Sequence, residues 1–439
     1  MALPRPAGRP VVAAVALALA ITGGAVVAGG EDGPDRPPPS VAVAPGALRG
    51  GDLDRGVEAL QSHLRSQPKD AGGWATLGTA YVEQARTRGD PTRYREADRA
   101  LDRSLELRPR NDAGLAGRAA LAAARHDFAG ALRHAEAALA VNPYSEGALA
   151  SRIDALVELG RYKKAARAAD EADARRPGMP VFTRYAYVRE LRGDVAGARR
   201  ALSQAVGSGS SGGDAAYVAT ALGQLAWRQG DYGEALKQCG KALRADATYL
   251  PALECRARAW AGQGDTGRAI RGLREVVERA PLPGPLVALG ELYEARGGRG
   301  DGAKAREQYA LVSAWVSLAR ANGVNADLDA ATALTDHGGP DERKAALRAA
   351  RAEWGRRHTV HTADALAWAL HVNGRSEEAL PYARRATATG FHEASFLYHR
   401  GVIEGAAGDE AAARRWISAA LKLNPGFSPT GARAAREAL

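Results

Sequence analysis

The chain has 439 residues, 46% of them apolar but only 6% aromatic, so it can build a large core in which alanine must do most of the filling. Two cysteines, Cys239 and Cys255, exclude a disulfide framework and a cysteine-based metal cluster. The net charge is +10, yet only eight of the 60 basic residues are lysines; the excess follows an arginine- and alanine-rich composition and is no evidence for nucleic acid.

Arg5 and Arg9 precede the apolar run Val11 to Ala28, and Glu31, Asp32 and Asp35 follow it. Residues 1–30 therefore read as a secretory signal, with Val26 and Ala28 at the −3 and −1 positions, or as a retained N-terminal membrane anchor. In either case the charge bias predicts that the rest of the chain is extracytoplasmic, secreted or held at the outer face of the cell membrane. No cysteine follows the run to accept a lipid. Residues 31–49 are a proline-rich linker, extended and unable to pack.

From residue 50 onward one skeleton returns. Pro109, Pro143 and Pro177 are 34 residues apart, as are Gly230 and Gly264, Ala131 and Ala165, and Gly374 and Gly408. A fixed period of this length marks a solenoid, and apolar spacings of three and four make its elements helices. The glycine ends the first helix of each unit, where a left-handed residue is required. The second helix carries alanines seven apart: Ala131 and Ala138, Ala165 and Ala172, Ala198 and Ala205, Ala235 and Ala242, Ala379 and Ala386, Ala413 and Ala420. Seven residues are nearly two turns, so each pair lies on one face. Asn142-Pro143 and Asn424-Pro425 close their units. The pattern predicts a partial unit at 50–68 and helix pairs at 71–109, 112–143, 146–177, 180–207, 214–247, 250–281, 284–318, 325–358, 360–390 and 394–427. A capping helix is expected over Thr430 to Leu439. The array divides into 50–206 and 214–439, separated by a Gly/Ser hinge, GSGSSGG, at 207–213.

Trp74, Leu77, Gly78 and Tyr81 in the first pair, and Leu289, Gly290 and Tyr293 in the seventh, give the array the look of a known family. The chain resembles tetratricopeptide-repeat proteins over roughly residues 50–427. The resemblance implies an all-α, right-handed solenoid of about ten helix-turn-helix pairs.

Several motifs suggest chemistry and do not carry it. Arg-Gly-Asp starts at Arg88, Arg192 and Arg299, each at the turn inside a pair, where the repeat itself prefers glycine then aspartate. The glycine-rich loops lack the lysine and hydroxyl residue of a phosphate cradle. His358, His361, His371, His392 and His399 show no zinc-ligand spacing, and no nucleophile elbow is present. Catalytic residues, metals and cofactors are not expected. Cys239 and Cys255 fall at similar heights on adjacent antiparallel helices; they are two buried thiols or a disulfide.

The family's register puts the binding surface on the concave face formed by the first helices. That register selects Tyr187, Tyr217, Thr220, Trp227, Glu254, Arg258, Asp364, Trp368, His371 and Tyr398 as candidate partner-binding residues. The family's lysine-and-asparagine carboxylate clamp is absent, since Ala75, Ala116, Ala150 and Thr220 occupy those positions. The expected function is an extracytoplasmic scaffold that binds a protein or peptide in a concave groove. The alternative is a basic envelope protein that recognises anionic wall polymers or lipid headgroups.

Overall fold

A computed structural model describes residues 53–88, 90–208 and 212–439. All regular structure among these residues is helical. The N-terminal run, the proline-rich linker and residues 209–211 of the Gly/Ser segment lie outside the described residues.

The partial unit is one helix, α1 (Leu53–Ser66). The pairs follow in order: α2 (Ala71–Arg88) with α3 (Arg93–Leu107), α4 (Asp112–Ala124) with α5 (Phe128–Val141), α6 (Glu146–Glu158) with α7 (Tyr162–Arg175), and α8 (Met179–Glu190) with α9 (Val195–Ser208). Next come α10 (Gly212–Arg228) with α11 (Tyr232–Ala245), α12 (Leu250–Gly262) with α13 (Thr266–Arg279), and α14 (Pro283–Arg296) with α15 (Asp301–Ala321). The array ends with α16 (Asp327–His337) and α17 (Pro340–Arg356), α18 (Val360–Val372) and α19 (Ser376–Ala386), α20 (Ala394–Ala406) and α21 (Glu410–Leu423), and the single helix α22 (Pro429–Glu437).

The turn inside a pair has a simple chemistry. Gly160, Gly193, Gly230, Gly264, Gly374 and Gly408 all have φ between 70° and 96°, a conformation that costs an L side chain energy. The aspartate after the turn then caps the second helix. Asp127, Asp194, Asp231, Asp265 and Asp409 each accept the backbone N–H three residues on, at 2.7–3.0 Å. In the second Arg-Gly-Asp, Asp194 is such a cap.

The repeated alanines are where paired helices nearly touch. Ala131, Ala138, Ala165, Ala172, Ala198, Ala205, Ala235, Ala242, Ala379 and Ala386 are wholly buried. Ala413 differs: it is half-buried, although it approaches Gly401 and Gly405 so closely across the pair that a Cβ on either would lie 3.0 Å from it. Ala165→Leu forces three more carbons into a filled contact and should destabilise the chain by roughly 1–3 kcal/mol. A shift of the urea midpoint at constant slope measures it; an unmoved midpoint would contradict the packing.

Cys239 of α11 and Cys255 of α12 form a disulfide, with Cα atoms 6.1 Å apart and a separation of 16 residues. Both sulfurs press on Gly223 of α10, where a Cβ would lie 2.8 and 2.9 Å from them. The bridge therefore staples two pairs together through a notch that only glycine leaves open. In the chain-entropy account a loop of this length contributes about 3 kcal/mol.

The array winds back on itself. The His126 ring bonds the Asn325 carbonyl at 2.7 Å, Glu158 pairs with Arg357, the Tyr162 hydroxyl accepts the Val360 N–H at 2.9 Å, and Asn424 donates to the Trp227 carbonyl at 2.9 Å. These partners are 199, 199, 198 and 197 residues apart. A nearly constant offset means that the solenoid completes a full coil and that the second coil rests on the first. Turns within pairs 2 to 5 meet the links that close pairs 7 to 10. At the near end, Leu64, Tyr94 and Leu101 share one buried cluster with Leu286, Trp315 and Val324. In the second coil the inner helices α14, α16, α18 and α20 touch in sequence, and α22 bridges from α20 back to α14. Five inner helices thus form a closed ring.

Candidate inner-face site

First helices line the inside of the coil, so side chains 30 to 38 residues apart on consecutive first helices face one another. Asp154 and Arg184 make the tightest example. The Arg184 guanidinium donates twice to one carboxylate oxygen, at 2.8 and 3.0 Å, and both groups are buried. Burial raises the Asp154 carboxyl to about 7 despite the arginine. Arg228 grips Glu190 with two donors, one to each carboxylate oxygen, at 2.5 and 2.8 Å.

The ten sequence candidates fall into three groups. Tyr187, Tyr217 and Thr220 stand on α8 and α10. Tyr217 lies beside Thr183 and the Arg184–Asp154 pair, and burial raises its phenol. The Tyr187 hydroxyl meets His361 Nε2 at 3.0 Å, across the two coils, and burial holds its pKa well above the ordinary value. Thr220 is buried, its hydroxyl spent on the Ala216 carbonyl at 2.7 Å, so it offers a partner nothing.

Trp227, Glu254 and Arg258 form the second group. Trp227 Nε1 donates to the Arg258 carbonyl at 3.2 Å, and the Arg258 guanidinium stands 5.9 Å from the indole centroid. Glu254 fixes that guanidinium at 2.8 Å. Arg258 also donates to the Gly284 carbonyl at 3.2 Å, tying α12 to α14. Beside them a hollow of about 30 Å³, room for a water or two, is lined by Trp227, Arg258, Glu291, Leu292 and Phe427.

Asp364, Trp368, His371 and Tyr398 are the third and densest group. His399 binds the Asp364 carboxylate at 3.0 Å and stacks on Trp368 at 4.1 Å between centroids. His371 stacks on the same indole at 5.1 Å, and Trp368 Nε1 donates to Asp336 at 2.6 Å. Tyr398 lies 6.0 Å from Trp368 and 5.7 Å from Phe427. Two imidazoles on one indole carry opposite pressures. Burial lowers His371, helped by its neighbour His399. Burial would lower His399 too, but the Asp364 carboxylate outweighs it and raises the pKa above the usual value. Burial also raises the Tyr398 phenol, helped by Asp336.

Sequence reasoning missed Asp336, His361, His399 and Phe427. Asp336 and His399 stand about one repeat away from residues it selected, 32 residues before Trp368 and 35 after Asp364, so reading each candidate together with the position one period away would have found both. His361 meets Tyr187 from 174 residues away, a pairing between coils that the period does not record. Phe427 belongs to the closing link, outside any repeat register. Among the described residues no three His, Cys, Asp or Glu side chains converge to hold a metal ion. Among the same residues no helix is long and apolar enough to cross a membrane.

No protein of curated function matches the sequence. A family model, Tetratricopeptide repeat, matches residues 191–249 and 365–426. Among solved structures the chain is similar to a thermophilic tetratricopeptide-repeat protein of Thermus thermophilus: 23% identity over 42% of this chain and 98% of that one, TM-score 0.38. A tetratricopeptide-repeat protein of Parabacteroides merdae is 18% identical over 52% of this chain and 87% of its own, TM-score 0.40. The human IFIT1 dimer with PPP-AAAA is 15% identical over 85% of this chain and 87% of its own, TM-score 0.48. Helix pairs at a 34-residue period, glycine-aspartate turns and the family match over residues 191–249 and 365–426 identify tetratricopeptide repeats within this chain.

Proposed function

We propose that the protein is a scaffold outside the cytoplasm that holds a protein or peptide segment against the inner face of its coil. The fold is that of a protein–protein interaction scaffold. The observation that carries the finer reading is the concentration of large aromatics with polar partners on that face. Trp227, Trp368, Tyr398 and Phe427 supply rigid apolar area in a chain otherwise poor in aromatics, and Arg258, Asp336 and His399 supply polar handles. Rigid aromatics beside fixed charges are what anchors a partner most strongly.

Two observations support the location. Arg5 and Arg9 stand ahead of the apolar run, with acidic residues after it. The Cys239–Cys255 disulfide suits an oxidising compartment. Alkaline phosphatase fused after Pro45 should be active; an inactive fusion, with an active cytoplasmic reporter at the same point, refutes the location.

For binding, Trp227→Ala and Trp368→Ala should each weaken capture of the partner from the envelope fraction at least about tenfold, or roughly 1.4 kcal/mol. Helical circular dichroism should change little. Arg167→Glu on an outer helix should matter little. Silent tryptophan changes, with arginine changes that abolish binding in a salt-dependent way, would replace this reading with recognition of an anionic polymer.

A further inference from the structure

We propose that the segment held at the inner face is basic, and that one of its lysine or arginine side chains lodges in the second coil's ring, among Glu291, Glu294 and Asp336 and beside Tyr398. This deepens the inner-face reading above and rests on it.

Charge is spread unevenly along the inner helices. In the first coil, α4, α6, α8, α10 and α12 carry seven acidic residues and seven arginines. In the second coil, α14, α16, α18, α20 and α22 carry eight acidic residues and four arginines, in a chain whose net charge is +10. Three of those arginines are spent elsewhere: Arg296 on Asp301 of α15, at 2.6 and 2.7 Å, Arg400 on Glu404, at 3.3 Å, and Arg436 on the Pro425 carbonyl, at 2.5 Å. The fourth, Arg433, is exposed. Half of the acids are also accounted for. Glu404 is held by Arg384 and Arg400, Asp327 by Arg320 and Arg356, and Asp364 by His399, while Asp329 is sealed in the core. Of the rest, Glu437 ends α22, and Glu291, Glu294 and Asp336 come together on α14 and α16. Among the described residues none of these three pairs with a lysine or arginine.

Two rings report that the three stand together. His337 Nε2 lies 3.6 Å from Glu291 Oε1. Burial lowers that imidazole, but Glu291, Asp336 and Glu294 outweigh it and raise its pKa. The imidazole stacks on Tyr309 at 4.0 Å between centroids. Burial raises the Tyr309 phenol, helped by Glu294, Glu291 and Asp336. Tyr309 is 8% exposed, and its hydroxyl, set beside these carboxylates, makes no hydrogen bond of ordinary length and angle. A buried phenol oxygen without a donor is an acceptor that an entering cation satisfies.

The place is open where a ligand needs it. Glu294 and Asp336 are exposed, and Glu291 lines the hollow that Phe427 shares. Asp336 accepts the Trp368 indole N–H through one oxygen, at 2.6 Å, and keeps the other for a second donor. Tyr398 is half-buried, 6.0 Å from Trp368, and its ring offers apolar cover to the stem of a long side chain. Arg258, which lines the same hollow as Glu291, is held by Glu254 at 2.8 Å, so its charge is matched there.

The spacing selects the class of cation. Among the described residues no three His, Cys, Asp or Glu side chains converge, so a divalent metal would lack its ligand shell. A guanidinium spreads its donors over a planar fork, and an ammonium rides on a flexible four-carbon stem. Either one bridges carboxylates that stand too far apart to share an ion.

The probe is a capped, fluorescently labelled tetraarginine peptide, titrated with the full chain and read by anisotropy. Asp336→Asn with Glu294→Gln should weaken its binding at least about tenfold. Both side chains are exposed, and asparagine still accepts the indole N–H, so the fold is kept. Glu136→Gln with Glu275→Gln, exposed acids of α5 and α13, makes the same change in net charge and should leave the affinity unaltered. Equal losses in the two double variants, or no binding of tetraarginine by the parent chain, overturn the proposal. Tighter binding of capped tetraglutamate than of tetraarginine overturns it as well. The natural partner, captured from the envelope fraction, separates this proposal from the reading beneath it. Capture that fails with Trp368→Ala but survives the inner double variant refutes the basic class and leaves the inner-face scaffold. Normal capture by both tryptophan variants, with tetraarginine still dependent on Asp336 and Glu294, refutes the scaffold reading and leaves the cation site.

Discussion

Arg357→Met should cost the folded chain about 3–5 kcal/mol, the loss expected when one partner leaves a buried ion pair. Arg357 is 4% exposed, sits in the link between α17 and α18, and pairs with Glu353 of its own pair and Glu158 of the first coil. Its guanidinium also covers Phe128. Methionine fills similar volume, so little of the expected loss comes from a cavity. What remains is Glu158, a carboxylate with burial already pushing its pKa up and the arginine as the main opposing influence. Glu353 fares better, because Arg356 donates to it at 2.7 and 3.0 Å and Asn325 at 2.9 Å. The cost should therefore fall mainly through Glu158. Urea unfolding of Arg357→Met, Glu158→Leu and the double variant gives the coupling. The double variant should recover at least about half of the single loss, since two apolar groups replace an unpaired charge. A double variant as unstable as the sum of the singles would show that the pair acts through packing alone.

How far the sequence reaches can be judged at this same link. Its place at the end of a pair is legible, since Arg357 stands just before the predicted start of the ninth pair and the 34-residue period counts to it. The period is short-range information: the turn glycine, the aspartate cap and the alanine contact are each set by neighbours within one repeat, and so each leaves a trace in one repeat of sequence. The partner of Arg357 is a different matter. Glu158 lies 199 residues away, a distance set by how many pairs make one coil, which depends on the sum of small tilts between pairs. No single repeat records that sum. Gly160 and Gly264 look alike in the sequence, although one faces a carbonyl of the other coil and the other faces open space. Inner-face candidates were legible as positions, because register follows from the period, but not as partners. Asp364 and Trp368 were selected while His399, which binds one and stacks on the other, was not. The open groove expected from the family register is narrowed for a reason invisible in any repeat: α22 closes the ring of inner helices in the second coil.

Asp329→Asn should stabilise the chain at pH 8 by up to about 4 kcal/mol, and the gain should shrink steadily as the pH falls toward 4. Asp329, on α16, is 1% exposed, and neither carboxylate oxygen has a hydrogen-bond donor. Burial raises its pKa from 3.8 to about 7, against the pull of Arg357 and with the push of Glu353. A carboxyl whose folded pKa is raised favours the folded state while protonated. That contribution is complete below the unfolded value near 3.8 and is lost as the pH rises through about 7. Each unit of difference is worth about 1.36 kcal/mol, so the full loss is near 4 kcal/mol as an upper bound. Asparagine keeps the shape without the charge, and so avoids that loss at high pH while differing little from the protonated acid at low pH. Urea unfolding at intervals from pH 5 to 8 should show the two proteins diverging as the pH rises. A gain that stays flat with pH would mean that the carboxyl ionises alike in the folded and unfolded chain, so that burial has not shifted it, and a loss at pH 8 would mean that its attraction to Arg357 outweighs its burial. The two sites share one buried cluster, so their effects should not add. In the Arg357→Met background the attraction of that guanidinium is gone, the ionised Asp329 is worse placed, and the gain from asparagine at pH 8 should be larger than in the parent chain.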